Sequence, residues 1–423
     1  MDAAVEAGLR AGQPVFWRNP HRRPIAEVRG SLSVSLADIR AAADRLERFA
    51  PLLAELFPEL APSGGIIESV LAPIPDCCGT SVPGDILLLK ADHLLPVAGS
   101  VKARGGFHAV LCVAERLALE AGLLADTRDD YLRLGEENAR AFFARHTLSV
   151  GSTGNLGLSV GILGRALGFA VTVHMSHDAR AWKKEKLHEV GARVVEHAGD
   201  YAAACAMART EAANRPTVHF IDDENSRDLL LGYAVAGLRL PGQLAARGVL
   251  VSEKRPLCLH LPCGVGGAPG GIALGARLAL GDGALAFLAE PTESPCLLLG
   301  LATGRCEAVN VRDLGLSGHT IADGLAVPRP SGLVCRLMEP LVDGAFTVTD
   351  AAMTRYVATA WNKVRLRLEP SAAAALAGPS RVRAAGLPRL DGRPATHIVW
   401  ATGGGMLPDE QFEEFLALGA GQG

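Results

Sequence analysis

Several familiar signatures are missing from this sequence, and each absence removes a class of function. No stretch within residues 1–23 is apolar enough to act as the hydrophobic region of a secretory signal. Two long stretches lack charge, 147–164 and 256–276, but Gly, Ser, Asn or Pro interrupt both. They read as loops and buried strands rather than bilayer spans. The nine cysteines contain no CxxC pair, and adjacent Cys77 and Cys78 suit neither a zinc site nor an ordinary bridge. Free thiols in a reducing compartment are therefore expected, not a disulfide framework. The twelve histidines form no HExxH or HxxxH pair, so no protein-bound transition metal is expected. A formal net charge of −3 gives no electrostatic reason for a nucleic-acid or membrane partner. No internal repeat or low-complexity tail is visible. The expectation is a cytoplasmic protein acting on a small molecule.

What is present points to α/β architecture. The chain has 423 residues, 49% hydrophobic and 21% charged, enough to bury two cores. Short β-rich runs alternate with longer helical patterns, the sign of parallel sheets flanked by helices. Residues 168–175 read as a buried strand and 178–190 as an amphipathic helix with Trp182, Leu187 and Val190 on its apolar side. A strand from Arg193, a helix over 201–214 and a strand over 217–221 continue the βαβ pattern. Further strands are expected near 257–262, 285–289 and 397–401. The predicted division is a large domain from 1–106 and 225–423, with a small α/β domain over 107–224.

Four polar or glycine-rich clusters sit where strands should end. In SVKARGG (100–106), Lys102 follows an apolar run and precedes a Gly pair. Partial desolvation there would lower the amine's proton affinity and make it a nucleophile, although most lysines are solvated surface groups. In STGNLG (152–157), hydroxyls and N–H groups could meet a carboxylate; the bland reading is a helix cap and turn. In GVGGAPGG (264–271), after CLHLPC, successive N–H groups could converge on a phosphate at a helix start. That loop lacks the GK[ST] of an ATP-binding Walker loop and is not a clean GxGxxG. Finally, Thr402 in WATGGG ends a strand with a neutral hydroxyl.

Taken in this order, the clusters resemble fold-type II pyridoxal-phosphate enzymes, a two-domain, tryptophan-synthase-β-like α/β fold. The closer resemblance is to the bacterial D-serine dehydratase (D-serine ammonia-lyase) family. It runs through RFAPLLAELFPE, GGIIES, SVKARGG, VGSTGNLGLSVGI, DARAWKKEKL, FIDDENS, LPCGVGGAPGG, AEPTESPC, ADGLAV and RLEPSA. The resemblance implies pyridoxal 5′-phosphate as cofactor, with Lys102 as the Schiff-base and catalytic lysine. It implies Asn155 as partner of the cofactor's 3-hydroxyl and Gly264, Val265, Gly266, Gly267 and Ala268 as the phosphate cup. Thr402 would face the pyridine nitrogen, and Ser152, Thr153, Gly154 and Asn155 would receive the substrate. Glu290 and Cys296 in AEPTESPC would hold a monovalent cation, K⁺ or Na⁺. A monomer and an α,β-elimination from D-serine to pyruvate and ammonia are also implied. Two departures stand out: Ala268 puts a methyl where the family keeps a third consecutive glycine, and Pro328 and Pro330 follow DGLAV. The residues alone leave open an L-serine or L-threonine dehydratase, or a non-catalytic phosphate-ligand-binding homologue. Only the whole-chain resemblance selects D-serine.

Overall fold

The computed structural model describes residues 1–79, 83–152, 154–177, 179–197 and 201–421. Its strands are β1 (Phe16–Arg18), β2 (Leu71–Pro73), β3 (Ile86–Lys90), β4 (Thr147–Gly151), β5 (Ala170–Ser176), β6 (Arg193–His197), β7 (Val218–Ile221), β8 (Leu257–Pro262), β9 (Ala284–Pro291), β10 (Gly344–Val348) and β11 (Thr396–Trp400). The chain divides into two compact units. One comprises Met1–Leu36, Ser69–Leu94 and Tyr233–Gly423, the other Ala37–Glu68 and Leu95–Gly232.

In the first unit seven described strands form one sheet in the order β1-β10-β9-β8-β11-β3-β2. The central strands pair in parallel, and only β1 and β2, at the two edges, run antiparallel to their neighbours. β8, β9, β10 and β11 are buried along their whole lengths, the pattern of strands covered on both faces. Phe287 and Phe346 are fully buried in a cluster with Cys258, Leu285 and Met353. Burial of each such ring stabilises the fold by about 1.5–3 kcal/mol. The register pairs Leu257 with Ala284 and Pro262 with Ala289, so the carboxyl ends of β8 and β9 finish side by side.

The second unit has a four-stranded sheet, β6-β5-β4-β7, with every pairing parallel. Its helices include α1 (Lys102–Glu120) and α2 (Asn155–Leu167). α2 packs closely on the sheet because two positions carry no side chain. A Cβ at Gly157 would lie 2.8 Å from Val173 Cγ1, and one at Gly164 2.8 Å from Leu148 Cδ1. The charge-free stretches are thus strand–loop–helix passages: β4 into α2, and β8 into the helix Gly267–Leu280.

Three details differ from the sequence reading. The second unit is larger than 107–224, because residues 37–68, 95–106 and 225–232 pack with it. Glu115 holds the helix Leu36–Leu56, accepting from Arg45 Nε at 2.7 Å and Arg48 Nη2 at 2.6 Å, and it also accepts from the Tyr131 hydroxyl at 2.6 Å. Arg104 meets Glu68 at 2.6 Å. In the helix Ala181–Glu189, Lys183 is buried beside Leu187, whereas Trp182 is half-buried. The cysteines are not all free: Cys306 and Cys335, 29 residues apart, form a disulfide, and the other seven are free thiols. Spacing alone gave no signal for this pair, which packing brings together. Among the described residues, no helix is long and apolar enough to cross a membrane.

Candidate active site

In the first unit, β8 runs into the glycine loop and then into α3 (Gly267–Leu280). Cys263 N–H still donates to Ala289 O at 2.9 Å, after which the chain leaves the sheet. Gly266 turns at φ +108°, a conformation that disfavours any side chain. A Cβ there would lie 2.9 Å from Leu297 Cδ2. Carbonyls of the loop are tied to protein: Gly264 O accepts from Cys296 Sγ at 3.3 Å, and Val265 O accepts from Ser331 N–H at 2.9 Å. The N–H groups are not. Those of residues 264–268 have no acceptor among the described residues, and α3 has no side-chain cap. The first return bond is Gly270 N–H to Gly266 O at 2.8 Å. Five open donors at a helix start are an arrangement that suits a phosphate. Ala268 lies buried within it.

Thr402 follows β11, half-buried, and its hydroxyl makes no hydrogen bond among the described residues. Gly403 beside it packs against the Glu369 carboxylate, and Glu369 N–H donates to Gly403 O at 3.2 Å. The nearby sequence RLEPSA supplies Ser371, whose buried hydroxyl is also unpaired.

Glu290 lies in β9 and is fully buried. Its two oxygens accept from Leu297 N–H at 2.9 Å and Leu298 N–H at 2.8 Å, capping α4 (Cys296–Thr303). Burial pushes its carboxyl up to about 8, against the pull of those two N–H groups toward the anion. Burial likewise raises the Cys296 thiol, which donates to Gly264 O. Both residues therefore stand directly behind the glycine loop. Ser294 Oγ joins AEPTESPC to the last residue of ADGLAV, donating to Val327 O at 2.9 Å.

In the second unit Lys102 is the first residue of α1. Its Nζ lies 3.3 and 3.4 Å from the two oxygens of Asp223, with side-chain exposures of 20% and 12%. Asp223 stands just past the carboxyl end of β7. Its neighbour Asp222 points to other partners, accepting from Arg209 Nη2 at 2.8 Å and Glu224 N–H at 3.0 Å. Ser100, two residues before the lysine, is buried with its hydroxyl unpaired.

Asn155 opens α2 and is half-buried. Ser152 Oγ accepts from Gly154 N–H at 3.1 Å and Gly157 N–H at 3.0 Å, so this hydroxyl caps the helix. Thr153 lies outside the described residues. A Cβ at Gly154 would lie 3.2 Å from Lys183 Nζ, so a buried ammonium faces the loop. Sequence reasoning named Lys102, Asn155 and the cup but gave no role to Asp223, Lys183, Ser100 or Ser371. Only Asp223 had a usable signal: an acidic residue just beyond a strand in a parallel sheet, the edge where α/β ligands bind.

A phosphate cradle after one buried strand, a lysine paired with a carboxylate, and a neutral hydroxyl at a strand end define a class. The chain belongs to the family of pyridoxal-phosphate dependent enzymes, whose pattern matches residues 77–403. It is 52% identical to a probable D-serine dehydratase of Pseudomonas aeruginosa (strain UCBPP-PA14), over 98% of this chain and 95% of that one. It is 49% identical to the D-serine dehydratase of Salmonella arizonae, over 98% and 97%. Among solved structures, the diaminopropionate ammonia lyase of Escherichia coli in complex with D-serine superposes with a TM-score of 0.73. The identity is 17%, over 96% of this chain and 97% of that one, a likeness of fold.

The residues present fit the family's cofactor. Five unpaired N–H groups suit a phosphate dianion, the Thr402 hydroxyl suits a ring nitrogen, and the Lys102 amine suits an aldehyde carbon.

Proposed function

We propose that this chain is a pyridoxal-phosphate-dependent lyase that converts D-serine to pyruvate and ammonia by α,β-elimination. The observation that carries the substrate is 49–52% identity, across 98% of the chain, to proteins named D-serine dehydratase. The cofactor supplies the electron sink that acidifies the substrate's Cα–H.

The chain's own groups then divide the work. N–H groups of residues 264–268 hold the phosphate. Asn155 meets the cofactor's 3-hydroxyl, and Ser152, Thr153, Gly154 and Asn155 form the loop that receives the substrate carboxylate. Because the Ser152 hydroxyl caps α2, its part is to shape the loop. Lys102 would hold the cofactor through its amine, and that amine, once released, would take the substrate's Cα proton. Asp223 orients that amine and offsets its charge when it is protonated. The β-hydroxyl leaves as water, and hydrolysis in solution returns one water and releases pyruvate and ammonia. Thr402 stays neutral, so it does not favour a protonated ring as a carboxylate would. Elimination is thereby favoured over transamination.

The same reading places a monovalent cation beside Glu290 and Cys296, with neighbouring carbonyls completing its oxygen ligands. It also makes the enzyme a cytoplasmic monomer, as the family resemblance implies. The direct test is the absorbance spectrum of purified, cofactor-loaded protein before and after addition of D-serine. A visible cofactor band that changes on addition and returns as pyruvate accumulates supports the proposal. No change on addition, with cofactor bound, opposes it.

A further inference from the structure

The first unit contains a cavity of ≈ 450 Å³ remote from the glycine cradle. Among its lining residues are Arg18, Arg22, Arg389, Asp343, Leu285 and Leu387. Leu285 and Asp343 stand at the amino ends of β9 and β10, whereas Glu290, behind the cradle, lies toward the carboxyl end of β9. The cavity therefore opens on the edge of the sheet opposite to the one that carries the cradle.

Its charge is unbalanced. Arg22 and Arg277 both pair with Asp282, the latter at 3.0 Å from Nη2. Asp343 lies 3.4 Å from Arg22 Nε and 3.3 Å from Arg389 Nη1, and accepts from Ala286 N–H at 2.9 Å. Arg18 has no partner among the described residues. Among the residues that line the cavity, Arg18, Arg22 and Arg389 thus face the single carboxylate of Asp343, while Asp282 is shared by Arg22 and Arg277. A donor is left over as well: the buried Nε of Arg22 makes no hydrogen bond among the described residues. Buried donors without acceptors are costly, and a planar guanidinium fork is matched by a carboxylate or phosphate. Leu285 and Leu387, with Pro20 and Pro388, give the rest of the wall an apolar part beside Asn19. The volume falls within the range of small-molecule sites, well above the need of a bare inorganic ion.

We propose that this cavity binds a small organic acid. Its carboxylate or phosphate oxygens meet Arg18, Arg22 and Arg389, and its apolar body lies against Leu285 and Leu387. The site is independent of the D-serine reaction, because it shares no residue with the cradle or with Lys102.

Calorimetric titration of the cofactor-loaded enzyme at low ionic strength tests this, since salt screens the exposed Arg18. The probes are phenyl phosphate, benzoate and inorganic phosphate. One saturable site is expected for phenyl phosphate or benzoate, and which of the two binds tighter identifies the anionic group. Arg18→Glu should weaken that binding by about tenfold or more. Its melting temperature should stay at the parent value, because Arg18 is exposed and unpaired. Absence of saturable binding by both organic probes overturns the proposal. So does binding that Arg18→Glu leaves unchanged, which would put the anion elsewhere, or binding of inorganic phosphate alone.

Discussion

The first unit offers a ligand its main chain, whereas the second offers side chains. Donors at residues 264–268 are fixed by a buried strand, by a left-handed glycine at 266 and by carbonyls tied to Cys296 and Ser331. Lys102 and Asp223 instead meet as partly exposed side chains beside α1 and β7. A main-chain cradle can be damaged only by altering the fold around it. Side chains can be exchanged with the fold left in place. Variants in the two units should therefore fail differently: loss of cofactor in one, loss of chemistry with cofactor retained in the other.

The largest expected effect lies in the second unit. Lys102→Ala should lower pyruvate formation by roughly 10³-fold or more, as removal of attachment and base together implies. Far-ultraviolet circular dichroism and cofactor occupancy should be unchanged, and only the absorbance band of the lysine-linked cofactor should be lost. Turnover at the parent rate would remove Lys102 from the chemistry.

Next comes the cradle. Gly266→Asp sets a carboxylate against a phosphate dianion and forces a side chain into φ +108° beside Leu297. Cofactor affinity should fall on the order of 100-fold or more. Gel filtration followed by cofactor quantitation reads this out; parent occupancy would place the phosphate elsewhere and erase the contrast between the units.

Asp223→Asn sharpens the comparison, because it keeps shape and removes charge. Without the carboxylate 3.3 Å away, the ammonium form of Lys102 loses its partner. Pyruvate formation should fall by about tenfold, with cofactor occupancy and far-ultraviolet circular dichroism unchanged. A parent rate, or a lower rate that comes with loss of cofactor, would make Asp223 a packing residue only.

The role proposed for Thr402 adds a side chain to the main-chain donors of the first unit. Thr402→Asp should reduce elimination by about tenfold and raise racemisation or transamination, since a carboxylate favours a protonated ring. Thr402→Ser should stay close to the parent. Clean elimination by a folded, cofactor-loaded Asp variant would show that Thr402 does not face the ring.

The smallest effect concerns Glu290. Burial holds its carboxyl protonated up to about 8, compared with an ordinary 4.5. The folded state thus binds the extra proton within that window, and stability should decline as pH rises through it. A cation beside the carboxylate offsets the decline. Melting temperatures in potassium chloride should therefore exceed those in tetramethylammonium chloride near the upper end of the window. Coincident curves would leave Glu290 solely as the cap of α4.

How much of this could be read from the sequence follows the same division. Main-chain features were legible, because glycines directly after an apolar run mark a buried strand passing into a tight turn. β8, β9 and β11 fall within a few residues of the expected strands, and the loop at 264–268 opens α3 as anticipated. Side-chain partnerships were not. Asp223 meets Lys102 across 121 residues of sequence, and Lys183 is buried where helical periodicity favours Trp182. The Cys306–Cys335 disulfide and the grouping of 37–68 with the second unit also depend on long-range packing. Local patterns carry information about propensity, not about which distant element supplies a partner.

The central claim is that Lys102 and its surroundings eliminate water from D-serine, and that the product hydrolyses to pyruvate and ammonia. Its most direct test is pyruvate and ammonia release by the cofactor-loaded enzyme given D-serine or L-serine in parallel. The account predicts equimolar pyruvate and ammonia from D-serine and far slower release from L-serine. No product from D-serine with cofactor bound, or faster release from L-serine, would contradict it.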